Sequence, residues 1–346
     1  MNSFKKVKDQ LKLPLSAVWL MNSISEYKGK QELYSRQSPQ LLKRLVEMAI
    51  IQSAESSNRI EGITVDSRRL RPLVLGKAKP QDRSEEEVAG YRKALDWIHK
   101  KYGDIEIMPQ TIQQLHRLCM ADSGDAGQWK RKDNEIIRKT SAGEVEIIYR
   151  PLSAALTPKA IQQLCLAYRH SLEQEKMPPL YAVACLILDF LCIHPFRDGN
   201  GRVSRLLTLL AFYQQGFDVG RYISLERIIE QTKETYYESL NKSSQQWLKA
   251  RHDITGWLNY FLGTIHSAYR ELQQRAGDVR SARGSKTEMI RDAIERQTAE
   301  FSCSDIQKLC PFVSIDLIRL TLKQLRKGKK AICIGRGQSA KWKRIR

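Results

Sequence analysis

His194-Pro195-Phe196-Arg197-Asp198-Gly199-Asn200-Gly201-Arg202, with Arg205 one helical turn further on, is the stretch on which the reading of this 346-residue chain turns. It places an imidazole, a carboxylate, two glycines around an asparagine, and guanidinium groups between two apolar runs, Leu180–Ile193 and Val203–Tyr213. The first run is apolar nearly all round and the second is largely apolar, which predicts two buried helices flanking a polar loop. Gly199 and Gly201 lack a Cβ, so the backbone can turn tightly and approach a ligand closely. Just ahead of a helix, such a loop points free N–H groups and the positive helix end at one place, which suits a diphosphate. Arg202 and Arg205 add fork-like donors for phosphate oxygens. His194 has an imidazole able to take a proton near neutral pH, and Asp198 is an oxygen ligand of the kind Mg²⁺ favours. A base, a metal ligand and an anion cradle together point to phosphoryl or nucleotidyl transfer. Singly, the histidine reads as an ordinary loop residue and Gly-Asn-Gly as a turn; Phe196 reads as a core anchor for the loop.

Outward from the loop the pattern is mainly helical. Upstream, Leu41 to Ile60 repeats apolar residues at three- and four-residue spacing and stops at Gly62, a residue suited to the left-handed position after a helix. Helices are also expected at about 84–102, 111–121, 157–174, 225–245 and 253–275. Residues 135–139 and 144–149 are β-rich runs around Thr140-Ser141-Ala142-Gly143, a hairpin with a glycine-containing turn. An isolated hairpin offers an edge with which another chain can pair. Gly277–Ser285 is small and polar, as a linker would be. Beyond it come three short helical stretches and two strand-like runs, 331–334 and 341–345, an order that resembles a winged helix-turn-helix.

Composition narrows the class. The chain is 42% hydrophobic and 28% charged with a mean hydropathy of -0.46, which fits a folded globular protein. The longest apolar run is too short for a membrane span of about 20 residues, and the N-terminal residues lack a secretory h-region; no membrane association and a cytoplasmic location are expected. Seven cysteines, an odd number with no CxxC pair, read as free thiols. The net charge is +20, and residues 281–346 alone hold 16 Lys/Arg against 6 Asp/Glu, half of the excess. A basic face of that kind attracts polyanions.

His194 to Arg205 resembles the Fic family signature HxFx(D/E)GNGRxxR at every specified position, and the likeness extends over roughly residues 40–270. That resemblance implies a helical Fic core with a small β-hairpin flap that transfers AMP from Mg·ATP to a Ser, Thr or Tyr hydroxyl of a protein. Carried over by position, it makes His194 the general base and Asp198 the Mg²⁺ ligand. It makes Gly199, Asn200 and Gly201 the anion hole, Arg202 a phosphate contact, and Arg205 the contact to the terminal phosphate of ATP. The hairpin resembles the flap that registers the target by strand addition. Tyr236, Tyr237 and Asn241 resemble residues lining the nucleoside pocket, although amphipathic packing explains the tyrosines equally well.

Ser57-Asn58-Arg59-Ile60-Glu61-Gly62 matches the family's inhibitory pattern (S/T)xxxE(G/N). The resemblance is to the subclass carrying this helix N-terminal to the core, in which Glu61 pairs with Arg205 and blocks productive ATP binding. Removal of AMP by the same site is compatible with that subclass. The expected organisation is an N-terminal helical region over 1–100 bearing the inhibitory helix, a catalytic core over 101–276, a linker over 277–285 and a winged-helix-like basic domain over 286–346. Partners expected are a target protein with an accessible hydroxyl, the chain itself as a target, and a second copy as a homodimer. A rival reading makes the chain a DNA-binding regulator acting through 286–346, with the 314–327 helix in the major groove. Transfer of another phosphate-containing group by the same loop is a third.

Overall fold

In the computed structural model, the apolar run before the loop forms a helix in which nearly every residue is buried, as an all-round apolar segment requires. The structure describes residues 1–5, 13–37, 39–120, 124–139, 145–281, 285–295, 297, 300–310, 313–328, 330–335 and 340–345. In chain order the helices are α1 (Asn2–Lys5), α2 (Leu15–Gln37), α3 (Pro39–Ile60), α4 (Ser67–Val74), α5 (Arg83–Lys101), α6 (Pro109–Met120), α7 (Thr157–Glu173), α8 (Pro179–Ile193) and α9 (Asn200–Gln214). They continue with α10 (Leu225–Gln231), α11 (Lys233–Ser244), α12 (Thr255–Ser281), α13 (Ser285–Glu295), α14 (Cys303–Leu309) and α15 (Ile315–Lys327). The strands are β1 (Ile136–Lys139), β2 (Val145–Tyr149), β3 (Phe301–Ser302), β4 (Ala331–Ile334) and β5 (Lys341–Arg344). The fold is mainly helical, as expected.

Two compact units divide the chain: residues 1–29 with 44–270, and residues 30–43 with 271–346. In the first, α8 lies at the centre, packed by α1, α7, α9 and α11, while α9 also meets α5 and α6. The approach of α5 to α6 depends on Gly90, where a Cβ would stand 2.5 Å from the Leu118 carbonyl oxygen. β1 and β2 form the expected antiparallel hairpin, with Ile137 opposite Ile147 and a bulge between Ile136 and Ile137. The turn expected at 140–143 lies outside the described residues.

Asp189 is the one carboxylic acid in the buried body of α8. Its carboxylate is fully buried and accepts hydrogen bonds from the Ser3 hydroxyl (2.5 Å), the Ser3 backbone N–H (3.2 Å) and Trp247 Nε1 (2.5 Å). Burial pushes its pKa up to about 6, against the pull of those donors. An acid inside the central helix thereby ties α1 and the 247–249 turn to the core.

The second unit contains α13, α14 and α15 with a three-stranded antiparallel sheet in the order β3-β5-β4. Ile290, Ile294, Phe301, Ile306, Ile318, Leu322 and Trp342 form its core. Ser302 caps α14 through a capping box with Asp305, and Ser314 caps α15. Two residues are too few to show a strand period, so β3 is absent from the sequence reading.

Three expectations need correction. α12 continues to Ser281, so the first residues of the expected linker are helical; one glycine costs a helix only about 1 kcal/mol and does not end it at Gly277. The single helix expected over 225–245 is two, α10 and α11, parted at Thr232. The helix after the loop starts at Asn200, not Val203, so Gly201 and Arg202 belong to its first turn. The seven cysteines are thiols, as expected. Among the described residues no helix is long and apolar enough to cross a membrane.

Replacing Asp189 with alanine leaves the Ser3 backbone N–H and Trp247 Nε1 buried without the acceptor they share. Urea unfolding is expected to show a loss of about 1–3 kcal/mol.

Candidate active site

The loop between α8 and α9 is built by caps. His194 closes α8 in a left-handed conformation (φ 50, ψ 65), its N–H donating to the Phe190 carbonyl at 2.9 Å. Gly199, at φ 75, is the N-cap of α9, and a Cβ there would stand 2.7 Å from Met120 Sδ. The first intrahelical bond is Val203 N–H to Gly199 O, so the amides of Asn200, Gly201 and Arg202 are those a helix start leaves over.

Asn200 staples the loop. Its Oδ1 accepts from Phe196 N and its Nδ2 donates to Phe196 O, both at 2.9 Å. What Asn200 can present to an anion is its backbone N–H. Phe196 is fully buried, stacked on His116 at 3.8 Å between ring centroids and on Trp129 at 5.0 Å. His116 receives the Gly127 N–H on Nδ1 and brings Nε2 within 3.1 Å of the Asp198 carbonyl.

His194 borders a cavity of about 650 Å³ together with Glu61, Gly201 and Arg205. Ile136, Ile137, Ile148 and Tyr149 of the hairpin line it, as do Tyr236, Tyr237 and Asn241 of α11. Most of the residues predicted from sequence thus share one space. Burial is the main cause lowering the His194 pKa to about 4, and the Lys130 cation adds to it; the Leu191 backbone and the charges of Glu61 and Asp198 act the other way. The imidazole is therefore neutral at neutral pH, able to accept a proton.

Arg205 is buried and already engaged. Its Nε donates to Ser57 Oγ (2.8 Å), and Nη2 donates to Ser57 O (2.9 Å) and Glu61 Oε1 (2.7 Å). Nη1 is buried with no hydrogen-bond partner, a donor left for something not in the chain. Glu61 Oε1 lies so close to Gly201 that a Cβ at 201 would overlap it. A carboxylate thus rests against the positive start of α9.

The helix carrying Ser57 and Glu61 is strapped down by groups outside the motif. Lys233 Nζ donates to Ile60 O (2.7 Å), Arg59 pairs with Glu230 (2.6 Å), and Ser53 donates to the buried Glu226 (2.7 Å).

Arg202 is placed differently from expectation. It is 1% exposed, absent from the cavity lining, and paired through Nη1 with Glu87 Oε2 at 2.5 Å, while Nη2 lies 3.1 Å from Met120 Sδ. What it holds is the joint between the loop and α5; its backbone N–H belongs to the helix start.

Asp198 is suited to share a cation. One oxygen accepts the Gly199 N–H at 2.6 Å, and the side chain is 65% exposed. Among the described residues no group of three or more His, Cys, Asp and Glu could hold a metal. That donor set fits Mg²⁺ taking most of its ligands from phosphates and water.

Glu87, His116, Lys130 and Asn134 are the site-building residues missed in sequence. Gly127-Gln128-Trp129-Lys130, ahead of the hairpin, was the available signal.

A mainly helical core with a two-stranded hairpin lining the same cavity as the loop that opens α9 describes the class; comparison with known proteins agrees. The family model described as Fic/DOC matches residues 106–212. A Fido domain-containing protein of Dictyostelium discoideum is 30% identical over 119 residues, 33% of this chain and 78% of that protein. Protein adenylyltransferase Fic of Nematostella vectensis is 25% identical over 240 residues, 65% of this chain but half of its own length. Among solved structures, a Fic family protein from Desulfovibrio desulfuricans superposes with a TM-score of 0.63 at 20% identity, covering 96% of this chain and 97% of that one. C. elegans Fic-1 reaches 0.57 at 19% identity, covering 77% and 74%. The chain belongs to the Fic/DOC family.

Glu87→Ala is expected to strand the Arg202 guanidinium in the interior, and chemical denaturation should register a loss of about 3–5 kcal/mol.

Proposed function

We propose that this protein is a protein adenylyltransferase, moving AMP from Mg·ATP to a target hydroxyl, and that Glu61 holds it largely off. The observation that carries this reading is the Glu61 carboxylate on Arg205 beside Gly201, in the cavity that His194 borders. The match to the Nematostella adenylyltransferase supports it.

In this reading the amides opening α9 hold the diphosphate, and Arg205 meets the terminal phosphate once Glu61 has moved. The hairpin registers the target strand. His194 takes the proton as the target oxygen bonds to the α-phosphorus, and the bond from that phosphorus to the β-phosphate oxygen breaks to release pyrophosphate. Bound Mg²⁺ would neutralise phosphate charge, with Asp198 as its protein ligand. Tyr237 and Asn241 border the nucleoside end, with Tyr236 buried behind them among Trp257 and Tyr260. Glu61 restrains all this by filling the anion hole with a carboxylate.

A second reading concerns residues 286–346. The order α13, α14, α15 and a β-hairpin supports a winged helix, and α15 exposes Arg319, Lys323, Arg326 and Lys327 along one stretch. Lys341 and Lys343 of β5 are exposed as well. Such a surface fits duplex DNA, with α15 entering the major groove.

With α-labelled ATP, Glu61→Gly should raise label transfer roughly tenfold or more, and adding His194→Ala should abolish it. Equal labelling by wild type and Glu61→Gly would refute the brake; retention of γ-label in place of α-label would refute AMP transfer. For the second reading, fluorescence anisotropy of the full chain on duplex DNA should show binding at 50 mM salt that weakens about 100-fold by 200 mM, as for about four neutralised phosphates. No binding at 50 mM would remove it.

A further inference from the structure

The segment joining α6 to β1 grips the loop on both sides of His194. We propose that Lys130 is a positioning residue for His194, clamping the peptide groups before and after it; this rests on the transferase reading above. The Lys130 backbone N–H donates to Pro195 O at 2.8 Å, and its Nζ donates to Ile193 O at 3.1 Å. The same ammonium donates to Asn134 Oδ1 at 2.9 Å, and Asn134 Nδ2 reaches Phe196 O at 3.3 Å. The carbonyls of residues 193, 195 and 196 are thus held by two residues of one strap.

His194 needs such a grip. A left-handed conformation at a residue with a Cβ costs about 1–3 kcal/mol and persists only where its surroundings over-determine it. Pro195, without an N–H, cannot tie the loop down through its own donor. Lysine suits the clamp because its ammonium is a compact charge with several donors. At 6% exposure it is a buried cation, and its Nζ is taken up by one carbonyl flanking His194 and by Asn134 of its own strap. Burial lowers its own pKa to about 8.

The cation also acts on the imidazole. Three charged groups bear on His194: Lys130 of the strap lowers its pKa, while Glu61 beyond α3 and Asp198 of the same loop raise it. Lys130 therefore favours the neutral base. Its strap runs six residues on into β1, whose Ile136 lines the cavity. One segment connects the strand that would receive the target to the base that would deprotonate it.

The test is made within the Glu61→Gly background. Lys130→Met should lower kcat for AMP transfer about 100-fold, the scale of a misplaced reacting group, with KM for ATP within about twofold. Lys130→Arg should restore most of the rate. The acid limb of kcat should move to higher pH in the Met variant, because loss of the cation raises the His194 pKa. An unchanged kcat overturns the proposal, and so does a matching rise in KM for ATP, which would put the fault in the phosphate cradle. Should Lys130→Met not fold, Asn134→Ala carries the same readout: a lower kcat with KM kept supports the clamp, and no change overturns it. If Glu61→Gly transfers no label, the transferase reading fails by itself. The clamp is then judged by NMR titration of His194 in Lys130→Arg against Asn134→Ala, where identical pKa values and ring shifts refute it.

Discussion

A buried guanidinium must be satisfied, and the Arg205 side chain is the constraint on which the site depends. Removed from water, it needs acceptors, and the end of α3 supplies three of them: the Ser57 hydroxyl, the Ser57 carbonyl and, just past the helix, the Glu61 carboxylate. The same contacts fix α3 against the start of α9. A requirement of burial becomes a contact across the mouth of the 194–202 loop, with one donor, Nη1, left over.

The loop itself is held from behind. Arg202 with Glu87, Asn200 with Phe196, His116 under Phe196, and Lys130 at the flanking carbonyls leave its backbone little freedom. Preorganisation of this sort is what electrostatic catalysis requires, since donors fixed beforehand need no rearrangement as charge develops. The polar residues of the signature divide accordingly: His194, Gly201 and Arg205 border the cavity, while Asn200 and Arg202 spend their side chains holding the loop in shape.

Much of this was legible because the signals are local. The apolar runs around residues 194–202 foretold two buried helices, and the four-residue spacing of Ser57 and Glu61 places both on one helical face. The hairpin was readable from two β-rich runs on either side of a glycine-containing turn. What could not be read depends on distant partners: Glu87 stands 115 residues from Arg202, and Lys130 is one basic residue among many until the fold lays it beside residues 193–196. Local propensity also misled at Gly277, because a single glycine inside a long helix is outweighed by its neighbours, and at Asn200, where a residue poor within a helix is well suited to open one.

Gly201 has a further consequence for how this protein can change. The space above its Cα holds the Glu61 carboxylate, and in the proposed reading it is the space a phosphate takes. Bulk added there excludes both occupants alike, so no substitution at 201 can loosen the restraint while keeping the ligand. In the proposed reading, a constitutively open site is reached by changes in α3 or in the α10–α11 residues that strap it, with Gly201 kept.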